Sequence, residues 1–141
     1  MRFPLIITSL LGAGLLAATG AAAQDDDSPP EIVATEYAFA GVDATQPKGA
    51  AEFAFRNDGK VTHEAILVKI NEGHTLKEFL DADLEGKAGK GVGFTFAKPG
   101  KTGKPLKAKL SAGRYAFVCM LPDPKKKPHW SRGQIARFSV K

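Results

Sequence analysis

From Ile32 onward the chain is built of short runs of apolar, aromatic and β-branched residues, separated by Gly, Pro and an Asn-Asp-Gly break. The runs cover residues 32–39, 51–56, 63–70, 91–96, 106–110, 114–120 and 134–140. Several alternate cleanly. Phe53 and Phe55 share one face of their run, and Leu106, Ala108 and Leu110 point one way while Lys107 and Lys109 point the other. Successive side chains of a strand lie on opposite faces, so a period of two sets one apolar row against a core and one polar row in water. Seven such strands at this spacing predict an antiparallel β-sandwich.

One segment has a different period. In residues 75–85, TLKEFLDADLE, the residues Leu76, Phe79, Leu80 and Leu84 recur at helical spacing, and Thr75 with Glu78 forms the capping-box pattern. Gly86 is placed to end this helix, and Gly89, Gly91 and Gly93 mark a flexible return to the next strand. The predicted fold class is therefore all-β, an antiparallel sandwich with one short helix and no internal repeat.

The first residues read otherwise. Met1-Arg2, an apolar run over residues 3–18 and the small residues Ala21-Ala22-Ala23 make a secretory signal peptide with cleavage after Ala23. The apolar run falls short of the roughly 20 residues that a spanning helix needs. The predicted organisation is a signal peptide over residues 1–23, a flexible leader over 24–31 (QDDDSPPE) and one domain over 32–141. An exported protein, periplasmic or extracellular, follows. No later segment is apolar enough for stable membrane insertion, and no cysteine near the cleavage point offers a lipid attachment site.

The net charge of +5 is mildly basic. The lysines are spread among Gly and Pro rather than interleaved with aromatics, which argues against nucleic acid and leaves anionic lipid or an acidic protein as compatible partners. Lys125-Lys126-Lys127 is either a solvated loop tip or a set of steering charges.

The single cysteine, Cys119, changes the picture most. A lone thiol in an oxidising compartment is open to pairing and oxidation, so burial or a metal should account for it. On a strand over 114–120, Tyr115, Phe117 and Cys119 share a face, with the thiol at the end of an aromatic row. His63 opens another strand, and His129 lies in the loop before the last one. One thiolate, two imidazoles and a weaker fourth donor form a set suited to copper.

Taken together, an Asn-Asp-Gly turn before His63, then Gly113-Arg114-Tyr115, a strand ending in Cys119, a Pro-containing loop, His129, and a donor five positions on resemble the cupredoxins. The resemblance implies a Greek-key sandwich holding one copper ion, with His63, Cys119 and His129 as metal ligands and Gln134 in the weak axial position, as in stellacyanin-like members. It implies an exported type 1 (blue) copper protein that cycles between Cu(I) and Cu(II), turns over no substrate and acts as a monomer. Electrons would pass to a redox partner, an acidic one suiting the basic charge, through an exposed edge of His129, with Trp130 either in the core or at the contact. Copper delivery, storage or resistance uses the same ligands, and a copper-free interaction module uses only the fold; both stay open.

Three features depart from the commoner family pattern. Gln134 stands where most relatives have Met, and Met120 follows Cys119 on its strand and so points to the opposite face. The nine residues MLPDPKKKP between Cys119 and His129 make a longer loop than in many relatives. Glu64 follows the first His, where a small polar residue is common. His74, before the capping Thr75, is expected to be a solvated turn residue.

Overall fold

A computed structural model describes residues 27–141; the predicted signal peptide lies outside them. Nine strands form two sheets. In chain order they are β1 (Glu31–Thr35), β2 (Ala38–Ala40), β3 (Thr45–Gln46), β4 (Gly49–Asn57), β5 (His63–Ile70), β6 (Gly89–Ala97), β7 (Leu106–Leu110), β8 (Gly113–Val118) and β9 (Ile135–Val140). One helix, α1 (Leu76–Asp81), follows β5, and a 3₁₀ turn (His129–Arg132) precedes β9. The four-stranded sheet runs β2-β1-β4-β7 and the five-stranded sheet β3-β9-β8-β5-β6.

The alternating rows meet as expected. Ile32 and Ala34 of β1, Phe53 and Phe55 of β4, and Leu106 and Leu110 of β7 pack against Ala65 and Leu67 of β5, Tyr115 and Phe117 of β8, and Phe138 and Val140 of β9. Each fully buried Phe removes enough apolar surface from water to contribute about 1.5–3 kcal/mol. Tyr115 and Phe138 stack at 5.4 Å, and Phe117 meets Phe53 edge-on at 5.1 Å. The Tyr115 hydroxyl donates to the Ser111 carbonyl at 2.9 Å, so its polar end is satisfied at the margin of the core.

A second apolar cluster lies on the other face of the five-stranded sheet. Leu76, Phe79 and Leu80 of α1 cover Val68, Ile70, Ala116 and Val118, which is why β8 is buried on both faces toward its C-terminal end. Thr75 caps α1 in the predicted reciprocal box with Glu78. The helix is shorter than its apolar spacing suggested. It stops at Asp81, and the Leu84 N–H reaches back to the Phe79 carbonyl at 2.9 Å while Asp83 and Leu84 take positive φ. That six-to-one closure satisfies a terminal carbonyl and still delivers Leu84 to the apolar cluster.

Two further differences concern pairing. The run over residues 32–39 is two strands, folded back on each other around Glu36 and Tyr37, with Val33 opposite Ala40. The sheets are mixed rather than purely antiparallel: β1 runs parallel to β4, and β3 parallel to β9. Parallel neighbours need a long connection, and here β2 and β3 lie on the path from β1 to β4. Among the described residues, no helix is long and apolar enough to cross a membrane.

Candidate metal centre

At one end of the sandwich, three loops converge on the ends of β5, β8 and β9. The first carries His63. Asn57, fully buried at the end of β4, donates from Nδ2 to the carbonyls of Val61 and Ala97, both at 2.8 Å, and accepts the Gly59 N–H at 2.8 Å. One carboxamide thus holds both sides of the turn that leads into β5. His63, at the first position of β5, is wholly buried.

The second element is the end of β8. Tyr115 and Phe117 point into the main core, and Cys119, one residue beyond the strand, is also wholly buried. Met120, on the opposite side, packs against the outer cluster, away from the sulfur's face. Glu64 takes up a tether here: its Oε1 accepts the Met120 N–H at 3.0 Å, tying the chain just after Cys119 to the chain just after His63.

The third element is the long loop after Cys119. Asp123 is almost fully buried, accepts the N–H groups of Lys125 and Lys127 at 2.8 and 2.9 Å, and takes two bonds from the Arg132 guanidinium. Those bonds, above all the one from the Lys127 N–H, hold its carboxyl below the usual carboxylate range. A Pro122–Pro128 bridge narrows the loop's base, and the His129 N–H reaches the Leu121 carbonyl at 2.8 Å. The inserted residues therefore form a pinned excursion that returns His129 to Cys119, leaving Lys125, Lys126 and Lys127 exposed.

The result is a buried triad. Among the described residues, the ligand atoms of His63, Cys119 and His129 lie within 4.8 Å of one another. Cys119 Sγ is 3.3 Å from His129 Nδ1, and the two imidazole rings are 5.1 Å apart. Burial pushes the Cys119 thiol up to about 11, although the backbone N–H groups of Glu64 and Leu121 favour the thiolate. A thiol raised in this way needs a neighbouring cation to ionise at neutral pH. Burial above all, and next the neighbouring His63, lowers the His129 pKa, which favours the neutral ring that can act as a ligand.

Among the described residues, three buried side-chain polar atoms make no hydrogen bond of good geometry: the Trp130 indole nitrogen, a donor, and two atoms that can accept, His63 Nδ1 and Gln134 Oε1. Gln134 is wholly buried, and its Nε2 donates to the carbonyls of Thr35 and Ala38 at 3.0 and 3.3 Å, which accounts for the carboxamide nitrogen and leaves the oxygen over. Unpaired buried acceptors are destabilising, so such atoms call for a partner. A cation among a thiolate and two imidazoles would supply one. The donor set, soft sulfur with two borderline nitrogens and one weak oxygen, fits copper.

Sequence reasoning missed two residues here and misplaced a third. Glu36 accepts from His63 at 2.8 Å between Oε1 and Nε2, and the Tyr37 ring lies 4.8 Å from that of His129. The only sign of them was an acidic residue inside an otherwise apolar and aromatic run. His129 has almost no exposed edge: it is 3 % accessible, and the Tyr37 ring, in the turn between β1 and β2, lies against it. Trp130 is half-buried in the outer cluster, with its indole nitrogen enclosed, and so belongs to the packing rather than to the open surface. His74 lies outside the triad, 3.5 Å from the Glu78 carboxylate.

No protein-family model and no curated protein sequence matches the chain. Solved structures do. An auracyanin from the photosynthetic bacterium Roseiflexus castenholzii aligns at 22% identity over 79% of this chain and 94% of its own, with a TM-score of 0.59. Auracyanin A, a "blue" copper protein from Chloroflexus aurantiacus, aligns at 20% identity over 81% of this chain and 98% of its own, with a TM-score of 0.56. A multicopper oxidase from Campylobacter jejuni shares 10% identity over 84% of this chain and 31% of its own, with a TM-score of 0.52. At these identities the likeness is one of fold, and the chain has the cupredoxin-like β-sandwich.

Proposed function

We propose that the protein carries single electrons by means of one copper ion held by His63, Cys119 and His129, with the Gln134 carbonyl oxygen as a weak axial donor. The observation that supports this most directly is the pair of buried, unpartnered acceptors, His63 Nδ1 and Gln134 Oε1, beside a buried thiol and a neutral imidazole. When bound, copper would supply a one-electron couple between Cu(I) and Cu(II). The chain's part is to fix the donors and keep water out. Asn57 fixes the approach to His63, Glu64 ties the chain after Cys119 to β5, and Asp123 with Arg132 braces the loop bearing His129. Donors held by such independent braces move little when the charge at the centre changes, which favours rapid electron exchange.

Titration of the metal-free protein with Cu(II) is expected to saturate at one equivalent and to produce an intense blue colour. A colourless complex, or no binding, would overturn the proposal. The axial assignment has its own test. A carbonyl oxygen is harder than a thioether and favours Cu(II), so Gln134→Met should raise the reduction potential. An unchanged or lower potential would remove Gln134 from the ligand set.

With His129 enclosed, the way out runs through the half-buried Tyr37 ring above it. The partner is an acidic redox protein. The exposed lysines 125–127 lie on the loop at this end, and the exposed Phe94–Phe96 stack, with Lys98, Lys101 and Lys104 beside it, lies on the edge strand that pairs Ala97 with His63. Copper delivery or storage would use the same ligands, but full enclosure of all three opposes ready exchange of the ion. Comparing copper dissociation with electron transfer rates separates the two readings. The predicted export agrees with this assignment, since a lone cysteine in an oxidising compartment is protected by a metal.

A further inference from the structure

Glu36 sits in the turn between β1 and β2, and none of its partners is local. Its carboxylate accepts the Lys60 N–H at 2.9 and 3.1 Å, the Val61 N–H at 3.1 Å and His63 Nε2 at 2.8 Å. The first two bonds brace the turn before β5. The third is chemically different, because an ionised carboxylate can only accept. Nε2 must therefore carry the ring's proton, and in a neutral imidazole the lone pair is then on Nδ1. Nδ1 is the atom found buried and without a partner. The same contact leaves a negative charge one imidazole away from the centre.

Gly59 shows how closely this contact is fitted. A Cβ at that position would press on Glu36 Oε1 and lie 2.9 Å from His63 Nε2. Both are side-chain atoms, and the glutamate can swing away. A methyl group there would part the carboxylate from the imidazole while leaving both residues in the chain.

We propose that Glu36 is a positioning residue that holds His63 in the tautomer presenting Nδ1 to the centre and, through its charge, favours the cupric over the cuprous state. The second half rests on the copper reading above; the first does not. Metal ligands oriented by a carboxylate on the far ring nitrogen gain basicity as well as direction, and loss of such a partner weakens metal binding by roughly 10–100-fold.

The test has a metal-free arm and a copper arm. Nitrogen-15 spectra of the metal-free protein at neutral pH should show His63 with its proton on Nε2, in wild type and in Glu36→Gln, whose carbonyl can still accept. In Glu36→Ala and Gly59→Ala that preference should be lost, with circular dichroism confirming that the sheets persist. In the copper arm, Glu36→Ala and Gly59→Ala should lower Cu(II) affinity by roughly 10–100-fold and Cu(I) affinity by less, so that the potential rises. Glu36→Gln should raise the potential while keeping the tautomer, an outcome that a purely structural role does not produce. A proton on Nδ1 in the wild type, or an Nε2 preference unchanged in Glu36→Ala, overturns the positioning role. Equal losses of Cu(II) and Cu(I) affinity, or an unshifted potential in Glu36→Gln, overturn the charge effect. Failure of the wild type to bind copper removes the copper reading and the charge effect together, while the metal-free spectra still decide the positioning role.

Discussion

Cu(II) added to a Cys119→Ser variant is expected to give no blue colour and to bind more weakly than to wild type by more than the roughly 10–100-fold typical of losing an outer partner. The reason lies in the donor atom. A serine hydroxyl is harder than sulfur, stays protonated far above the cysteine range and forms no covalent bond to copper of the kind that colours a thiolate complex. The substitution is nearly isosteric, so the fold should survive it: Cys119 is wholly buried beside N–H groups of Glu64 and Leu121 that can still meet an oxygen. Absorption during a copper titration reads the colour, competition with a chelator reads the affinity, and circular dichroism of both proteins verifies the sheets. Blue colour retained in the serine variant would show that the sulfur is not a ligand.

Phe117→Ala should be the most damaging single truncation of the core, lowering stability by about 3–5 kcal/mol. Phe117 has no exposed surface and touches both halves of the sandwich: its ring meets Phe53 edge-on at 5.1 Å and stacks on Phe138 at 5.5 Å. Removing it opens a cavity between rings that are anchored on two strands, β4 of one sheet and β9 of the other, and cannot readily collapse into the space together. A loss of that size is a large share of the 5–15 kcal/mol typical of a whole domain. Because Phe117 lies two residues before Cys119 on the same face, the cavity also undermines the sulfur's support. Denaturant unfolding of the metal-free variant measures the loss directly. A change below about 1 kcal/mol would mean that the aromatic row does not hold the two sheets together. Phe117→Leu, which keeps most of the volume, should lose far less.

How much of this could be read from the sequence depended on the range of the interactions involved. The strands over 63–70 and 106–110 appear with the expected bounds, because each alternates without interruption between unmistakable breaks. The α1 capping box was equally plain, being written in residues three apart. By contrast, the fold-back at Glu36 and Tyr37 was hidden: neither residue is a usual turn former, and the apolar alternation runs on through both sides. The parallel pairings of β1 with β4 and of β3 with β9 join residues far apart in the chain, and a period of two contains no information about partners.

The site divides in the same way. His63, Cys119 and His129 could be selected because their residue types and spacing are rare together, and the structure gathers them. The groups that orient them could not. Glu36 reaches His63 across 27 positions, and Glu64 reaches Met120 across 56. Asp123 sits in a Pro-Asp-Pro stretch that read only as part of a longer loop, and only the fold brings Arg132 round to it. Carboxylates are common in any sequence, so these three stand out only once their partners are known.

The roof that Tyr37 forms over His129, with Glu36 closing the far side of His63, acts as insulation. Two copies in collision bring no bare imidazole edges together, so the copper centre proposed above would pass electrons between copies slowly even though its braced donors rearrange little.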